Sequence, residues 1–125
     1  MKQLLIVFIG GGLGSVVRFL ISKIKVFEEG NFPWNTLMAN LMGCFILGII
    51  SSYLIKYQSV NESNILLFAT VGFCGGFTTF STFANENINF LKSGDILMFF
   101  SYSLISVIFG VIFIYFGITF QRSIS

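Results

Sequence analysis

The sequence has no histidine, two cysteines, one proline and five acidic residues, and only 10% of it is charged. Each scarcity removes a class of function. Without histidine, Cys44 and Cys74 cannot complete a zinc or redox ligand set, so both are expected to be packing residues inside apolar segments. No nucleophile–base pair is visible, which argues against an enzyme. No strand-forming segment precedes the glycines between Gly10 and Ser15. A dinucleotide loop needs a βαβ unit, so these glycines are not read as one.

What the chain has in excess is apolar and aromatic surface: 55% of its 125 residues are hydrophobic and 17 are phenylalanine. Cutting at the polar clusters leaves four apolar stretches, about Leu4–Ile21, Trp34–Ile55, Ile65–Leu91 and Ile96–Phe120. Each is long enough to cross a bilayer, which takes roughly 20 helical residues. The predicted fold is all-α and integral to the membrane, a single four-span domain over residues 1–125. The connections are short, so no soluble or nucleotide-binding unit is expected. A cleaved leader is the competing reading of the first stretch, but Arg18 interrupts it and no small-x-small site follows.

Lysine and arginine are nearly balanced across the membrane. Lys2, Lys56 and Arg122 fall on one face; Lys23, Lys25 and Lys92 fall on the other, with Arg18 near them. Cytoplasmic loops normally carry the excess. Such a balance either permits insertion in both orientations or leaves orientation to other signals. Four packed helices fill their own core with side chains. A conducting unit should therefore be an oligomer, and an antiparallel pair would form an inverted repeat with sites near the midplane.

Several residues stand out against this background. Gly10 and Gly14 have the small-xxx-small spacing that lets membrane helices approach closely. Arg18 either snorkels to the interface or lines an electropositive vestibule. Pro33 and Trp34 suit a helix start at the interface. Asn40 is an amide among Leu, Met and Ala, and it requires a partner: another helix or a permeating ion.

The third span carries the most informative run, Gly72 to Phe83. Gly75–Gly76 and Thr78–Thr79 are expected to break the helix, and a break at membrane depth is tolerated only against protein or a cavity. Phe80 and Phe83 follow at i, i+3 on one face, with Ser81 and Thr82 beside them. Paired rings at this spacing serve either as plain core or as positive ring edges that favour a small anion without binding it tightly. The freed carbonyls would instead suit a hard cation such as sodium. Glu86 is a carboxylate near the span's end, either functional or reaching interfacial water.

Three motifs run through nearly the whole chain: Gly10-Gly-x-x-Gly-x-x-x-Arg18; Pro33-x-x-Thr36-Leu-x-x-Asn40-x-x-Gly43-x-Phe-x-x-Gly48; and Gly72-x-x-Gly75-Gly-Phe-Thr-Thr-Phe-Ser-Thr-Phe83. Together they closely resemble the Fluc fluoride channels, also called CrcB proteins. The resemblance implies a dual-topology antiparallel homodimer in the inner (plasma) membrane. Two pores would pass fluoride out of the cytoplasm, exclude chloride and confer fluoride resistance. It implies that Phe80 and Phe83 line the pores, that Asn40 donates to the ion, and that Ser81 and Thr82 form a polar track with Glu86 near one end. It further implies that the carbonyls of Gly75 and Thr78 ligate a structural sodium at the dimer centre, and that Arg18 lies near a vestibule. In the fourth span Tyr102 and Ser106 would extend the track, and Gly110 stands where relatives can carry another hydroxyl. Membrane lipid and a second copy are the expected partners, and no nucleic-acid partner is expected.

Conduction by electrodiffusion fits a chain with no ATP site and no mid-membrane carboxylate. The rival reading is a small proton-coupled multidrug transporter of the same four-span format, for which Glu86 is the only available carboxylate. A non-transporting assembly subunit is the third reading, in which the Thr-Phe-Ser-Thr-Phe run would only pack.

Overall fold

A computed structural model describes residues 1–25, 30–57 and 62–125. Four of its helical segments are long and apolar enough to cross a membrane: Lys2–Ser22, Trp34–Lys56, Ser63–Lys92 and Ile96–Ile124. The first two are α1 (Lys2–Ser22) and α2 (Trp34–Lys56), the latter entered directly after Pro33. The third is composite. It runs through α3 (Glu62–Leu66), a π-helical stretch over Leu67–Cys74, α4 (Gly75–Phe77) and, after an interruption at Thr78 and Thr79, α5 (Phe80–Lys92). The fourth is α6 (Ile96–Ile124).

The turn from α5 to α6 follows from its residues. Gly94 takes φ +77°, and the amides of Gly94 and Asp95 reach back to the carbonyls of Leu91 and Phe90 at 3.2 and 2.9 Å. This nested pair closes the end of α5 and needs a residue that tolerates positive φ. Asp95 then caps α6 by accepting from the Met98 amide at 3.1 Å. A few residues thus both stop one span and start the next.

Two glycine seams hold the bundle. On one, Gly10 and Gly14 of α1 lie against the composite span: a Cβ at Gly10 would overlap the Phe68 carbonyl, and one at Gly14 the Phe73 carbonyl. The small-xxx-small reading of these glycines is therefore realised as close backbone packing. Gly76 faces Gly11 just as tightly, and Ser15 Oγ donates to the Gly76 carbonyl at 3.4 Å. That contact bears on the expected break. Gly75 and Gly76 both stay helical, Gly76 within this seam, and the interruption is confined to Thr78 and Thr79.

On the other seam, Gly48 of α2 and Gly117 of α6 leave each other's backbones in contact, a Cβ on either overlapping the carbonyl of Ile114 or Phe45. A buried polar pair lies beside it: Ser52 Oγ donates to Gln121 Oε1 at 2.9 Å. The small core joins Leu37 and Leu41 of α2 to Tyr102 of α6, with Phe32, Phe83, Phe90, Ile105 and Phe113 around them. Many large apolar side chains, among them Phe8, Phe80 and Leu97, remain exposed on the single chain, a surface suited to lipid or to another protein copy.

Gly14→Ala is expected to destabilise the folded chain by about 1–3 kcal/mol through overpacking against backbone. Gly12→Ala, where a Cβ would meet nothing within 4 Å, should stay within about 0.5 kcal/mol. Thermal unfolding in detergent followed by Trp34 fluorescence would compare them. For the polar pair, Gln121→Leu is expected to cost about 1 kcal/mol by orphaning the Ser52 hydroxyl. Adding Ser52→Ala should recover most of that loss, and a double-mutant cycle measures the coupling.

Candidate functional site

The site is built around the interruption of the third span. Thr78 (φ −79°, ψ 156°) and Thr79 (φ −147°, ψ 116°) are extended, so the backbone ladder of the span fails here. In lipid such a failure must be repaired by protein. Asn40 of α2 repairs it from the side. Its Oδ1 accepts the Thr79 amide at 2.7 Å and its Nδ2 donates to the Thr79 carbonyl at 3.2 Å. The Thr79 side chain caps α5 by accepting from the Thr82 amide at 3.3 Å, and its hydroxyl donates to Thr82 Oγ1 at 3.0 Å. Ser81 Oγ lies 3.4 Å from the same hydroxyl. Thr78 Oγ1 turns back to the Cys74 carbonyl at 2.9 Å.

These bonds determine which acceptors are released. In an uninterrupted helix the Thr79 amide would bond the Gly75 carbonyl, and the Thr82 amide the Thr78 carbonyl. Both amides are taken by side-chain oxygens instead. The Gly75 and Thr78 carbonyls thereby lose their helical donors, and main-chain oxygens freed in this way are the ligand type that a hard cation such as sodium accepts. The donor set of this chain fits such an ion.

Two cavities flank the interruption, and Thr79 lines both. The larger is a cleft of about 460 Å³ bordered by Asn40, Gly43, Cys44, Leu47, Thr70, Cys74, Gly75, Thr78, Thr79, Phe80, Phe83, Ser106 and Val107. Ser106 Oγ is buried and without a hydrogen-bond partner among the described residues. A hydroxyl buried without a partner is costly and points to something polar that completes it. The Phe80 and Phe83 rings lie 5.9 Å apart at 40°, and Phe80 is 79% exposed on the single chain. Phe83 instead leans on Tyr102, with centroids 5.0 Å apart.

The smaller cavity, about 240 Å³, is lined by Ser15, Arg18, Phe19, Ser22, Asn35, Thr36, Thr79 and Thr82. Arg18 is half-buried and faces this polar hollow together with three hydroxyl-bearing side chains from α1 and α2 and two from the interrupted span. Asn35 Oδ1 is buried there without a partner among the described residues. Arg18 therefore lines a hollow walled by hydroxyl-bearing side chains.

Glu86 is differently placed. Thr36 Oγ1 donates to its Oε1 at 2.6 Å and the Tyr102 hydroxyl to its Oε2 at 2.7 Å. Tyr102 is fully buried and borders neither cavity. Next to this clamp, Asn87 accepts from Ser103 Oγ at 3.2 Å and donates to the Phe83 carbonyl at 3.1 Å. The cleft thus unites Asn40, Gly75, Thr78, Phe80, Phe83 and Ser106. Arg18 and Thr82 meet in the second cavity, Ser81 hangs on the Thr79 hydroxyl between them, and Glu86 with Tyr102 forms a separate clamp against the core. Local sequence does not mark Thr79 as the shared wall, nor Asn35, Thr36 and Thr70 as lining residues. Thr79 carries a cap signal, a hydroxyl residue opening a helix. The adjoining hydroxyls at Thr78, Ser81 and Thr82 hide it.

Known proteins resemble this chain along nearly its whole length. Residues 5–118 match the family described as CrcB-like protein, Camphor Resistance (CrcB). A protein of Phocaeicola vulgatus named fluoride-specific ion channel FluC is 43% identical over 120 residues, covering 94% of this chain and 97% of that protein. Proteins of the same name from Bacteroides fragilis and Flavobacterium psychrophilum are 42% and 38% identical, covering 90% and 99% of this chain. With an interrupted third span, four membrane-length helices and a match along nearly its whole length, this chain belongs to the CrcB family, as a multi-pass membrane protein.

Proposed function

We propose that this protein is a passive, selective fluoride channel that works as an antiparallel homodimer in the inner membrane, with two pores and a structural sodium between the subunits. The observation that carries the reading is the pair of cavities sharing Thr79 at the interrupted span, one holding Arg18 among hydroxyls and the other, more apolar, holding Ser106 with the exposed Phe80 ring. The names of the relatives support the choice of anion. Membership of a channel family also means that the chain is not an enzyme.

Each part has a physical task. Arg18 concentrates anions in the outer hollow, since a cation beside a low-dielectric wall raises the local anion population. The hydroxyls of Thr82 and Ser81, the second N–H of Asn40, and Ser106 replace the water that fluoride gives up. Positive ring edges of Phe80 and Phe83 attract a small anion without a fixed charge that would trap it. A path made of several weak donors lets the ion both enter and leave. Chloride holds its water less tightly, so a narrow donor-lined path gives it less advantage. The fluoride acid crosses membranes uncharged and dissociates inside, so a passive path exports the anion whenever the interior is negative.

The main-chain oxygens of Gly75 and Thr78 would hold the sodium, whose positive charge would lock the interrupted spans of both subunits together. The open side of the cleft and the exposed apolar faces leave room for the second copy. The multidrug-transporter reading loses ground here because both oxygens of Glu86 already accept hydrogen bonds from Thr36 and Tyr102. A carboxylate committed to two neutral donors against the core is poorly arranged to exchange a proton for a cationic drug.

Liposomes loaded with fluoride and containing the purified protein are expected to lose fluoride rapidly once a potassium ionophore dissipates the potential, and to retain chloride. Phe80→Ile should slow the loss severalfold or more. Ser106→Ala should reduce it by about 2- to 10-fold, the size of one lost hydrogen bond. An ion-selective electrode reads all of these. Absence of fluoride loss from folded native protein would overturn the channel reading, and equal loss of chloride would overturn the selectivity.

A further inference from the structure

Asn40 stands out because both ends of its amide are bonded to the backbone of a single residue, Thr79, on a different span. Interhelical attachment alone would need only one of these bonds. The accepting bond does something further, because at 2.7 Å it holds the N–H that an uninterrupted helix would direct onto the Gly75 carbonyl. Without Asn40, the nearest acceptor that could restore the ladder is that carbonyl, and the interruption would tend to heal into helix. The Thr78 carbonyl is freed by a different agent, the Thr79 hydroxyl, which accepts the Thr82 amide at 3.3 Å. The two freed oxygens therefore depend on two separate side chains, one of them on α2.

We infer that Asn40 is a positioning residue for the cation: its Oδ1 keeps the Gly75 carbonyl available as a ligand by holding the Thr79 amide away from it. The inference rests on the reading that sodium binds at Gly75 and Thr78. It assigns Asn40 a task separate from any donation to fluoride, since the accepting oxygen acts on the cation site and the amide N–H groups serve the Thr79 carbonyl and the anion path. Residues that orient metal ligands from outside the coordination sphere commonly alter metal affinity by about 10–100-fold when removed.

The test is a sodium titration of the purified protein in detergent, with N-methylglucamine holding ionic strength constant and the melting temperature as readout. Ligand binding to the folded state adds RT ln(1 + [L]/Kd) to its stability, so fitting the rise in melting temperature against sodium concentration gives the midpoint Kd. Native protein is expected to be stabilised by sodium. In Asn40→Leu the sodium midpoint should rise by about 10-fold or more. In Asn40→Asp, which retains an accepting oxygen at the same reach, the native midpoint should persist. If Asn40→Leu does not fold, Asn40→Ser takes its place, its oxygen being too short to reach the Thr79 amide. Variants that melt lower but keep the native sodium midpoint would overturn the inference and leave Asn40 as interhelical attachment only. An Asp variant that loses sodium as the Leu variant does would overturn the role of the accepting oxygen. Native protein indifferent to sodium would overturn the sodium reading itself, and the inference with it.

Discussion

Everything in this molecule answers to the rule that a main-chain N–H or C=O at membrane depth must find a partner inside the protein. Water is not there to supply one, and each failure costs several kcal/mol. Three spans obey by remaining helical along their whole length. The third span disobeys at Thr78 and Thr79, and the surrounding residues can be understood as repairs. Asn40 crosses from α2 to bond both main-chain groups of Thr79, and the Thr79 hydroxyl caps the helix that resumes at Phe80. The repair is deliberately incomplete on one side. It satisfies donors with side-chain oxygens and so leaves the Gly75 and Thr78 carbonyls without their helical donors.

The glycine seams make that repair geometrically possible. Asn40 has a short side chain, so α2 must run close to the interrupted span for its amide to reach. Gly43 allows that approach: a Cβ there would overlap the Thr78 methyl. Gly10, Gly14 and Gly76 draw α1 onto the other side of the span and bring Arg18 over the second cavity. Close packing and function are therefore not separate layers in this protein. The same absence of side chains that lets helices touch sets the distances across which the polar groups bond.

Some of this was legible residue by residue. The apolar lengths declared the four spans, because bilayer thickness imposes a length that no other requirement mimics. Gly10 and Gly14 declared a seam by spacing alone. The interruption was legible as a region but not as a point, since Gly75 and Gly76 look at least as disruptive as Thr78 and Thr79; both nevertheless remain helical, Gly76 packed against Gly11 of α1. Glu86 and Tyr102 are placed by contacts that local spacing does not show. The carboxylate accepts from the phenol and from Thr36 beside the core, with Tyr102 fully enclosed. Their partners are 16 and 50 positions away along the chain, beyond the reach of any local pattern.

The amino-acid sequence by itself determined that this is a four-span membrane protein, where its spans begin and end to within a few residues, that the third is interrupted by a run of small and hydroxylated residues, and which family it resembles. These are matters of composition and local spacing, which bilayer thickness and helix geometry convert directly into structure. Only the tertiary structure decided that Thr79 is the wall shared by two cavities, that Arg18 faces a polar hollow, that the Ser106 hydroxyl finds no partner among the described residues, and that Asn40 holds the Thr79 amide. Each of these depends on which of several neighbouring polar groups meets a partner on another helix. That choice is made by the distance between backbones, and a one-dimensional pattern carries no record of it.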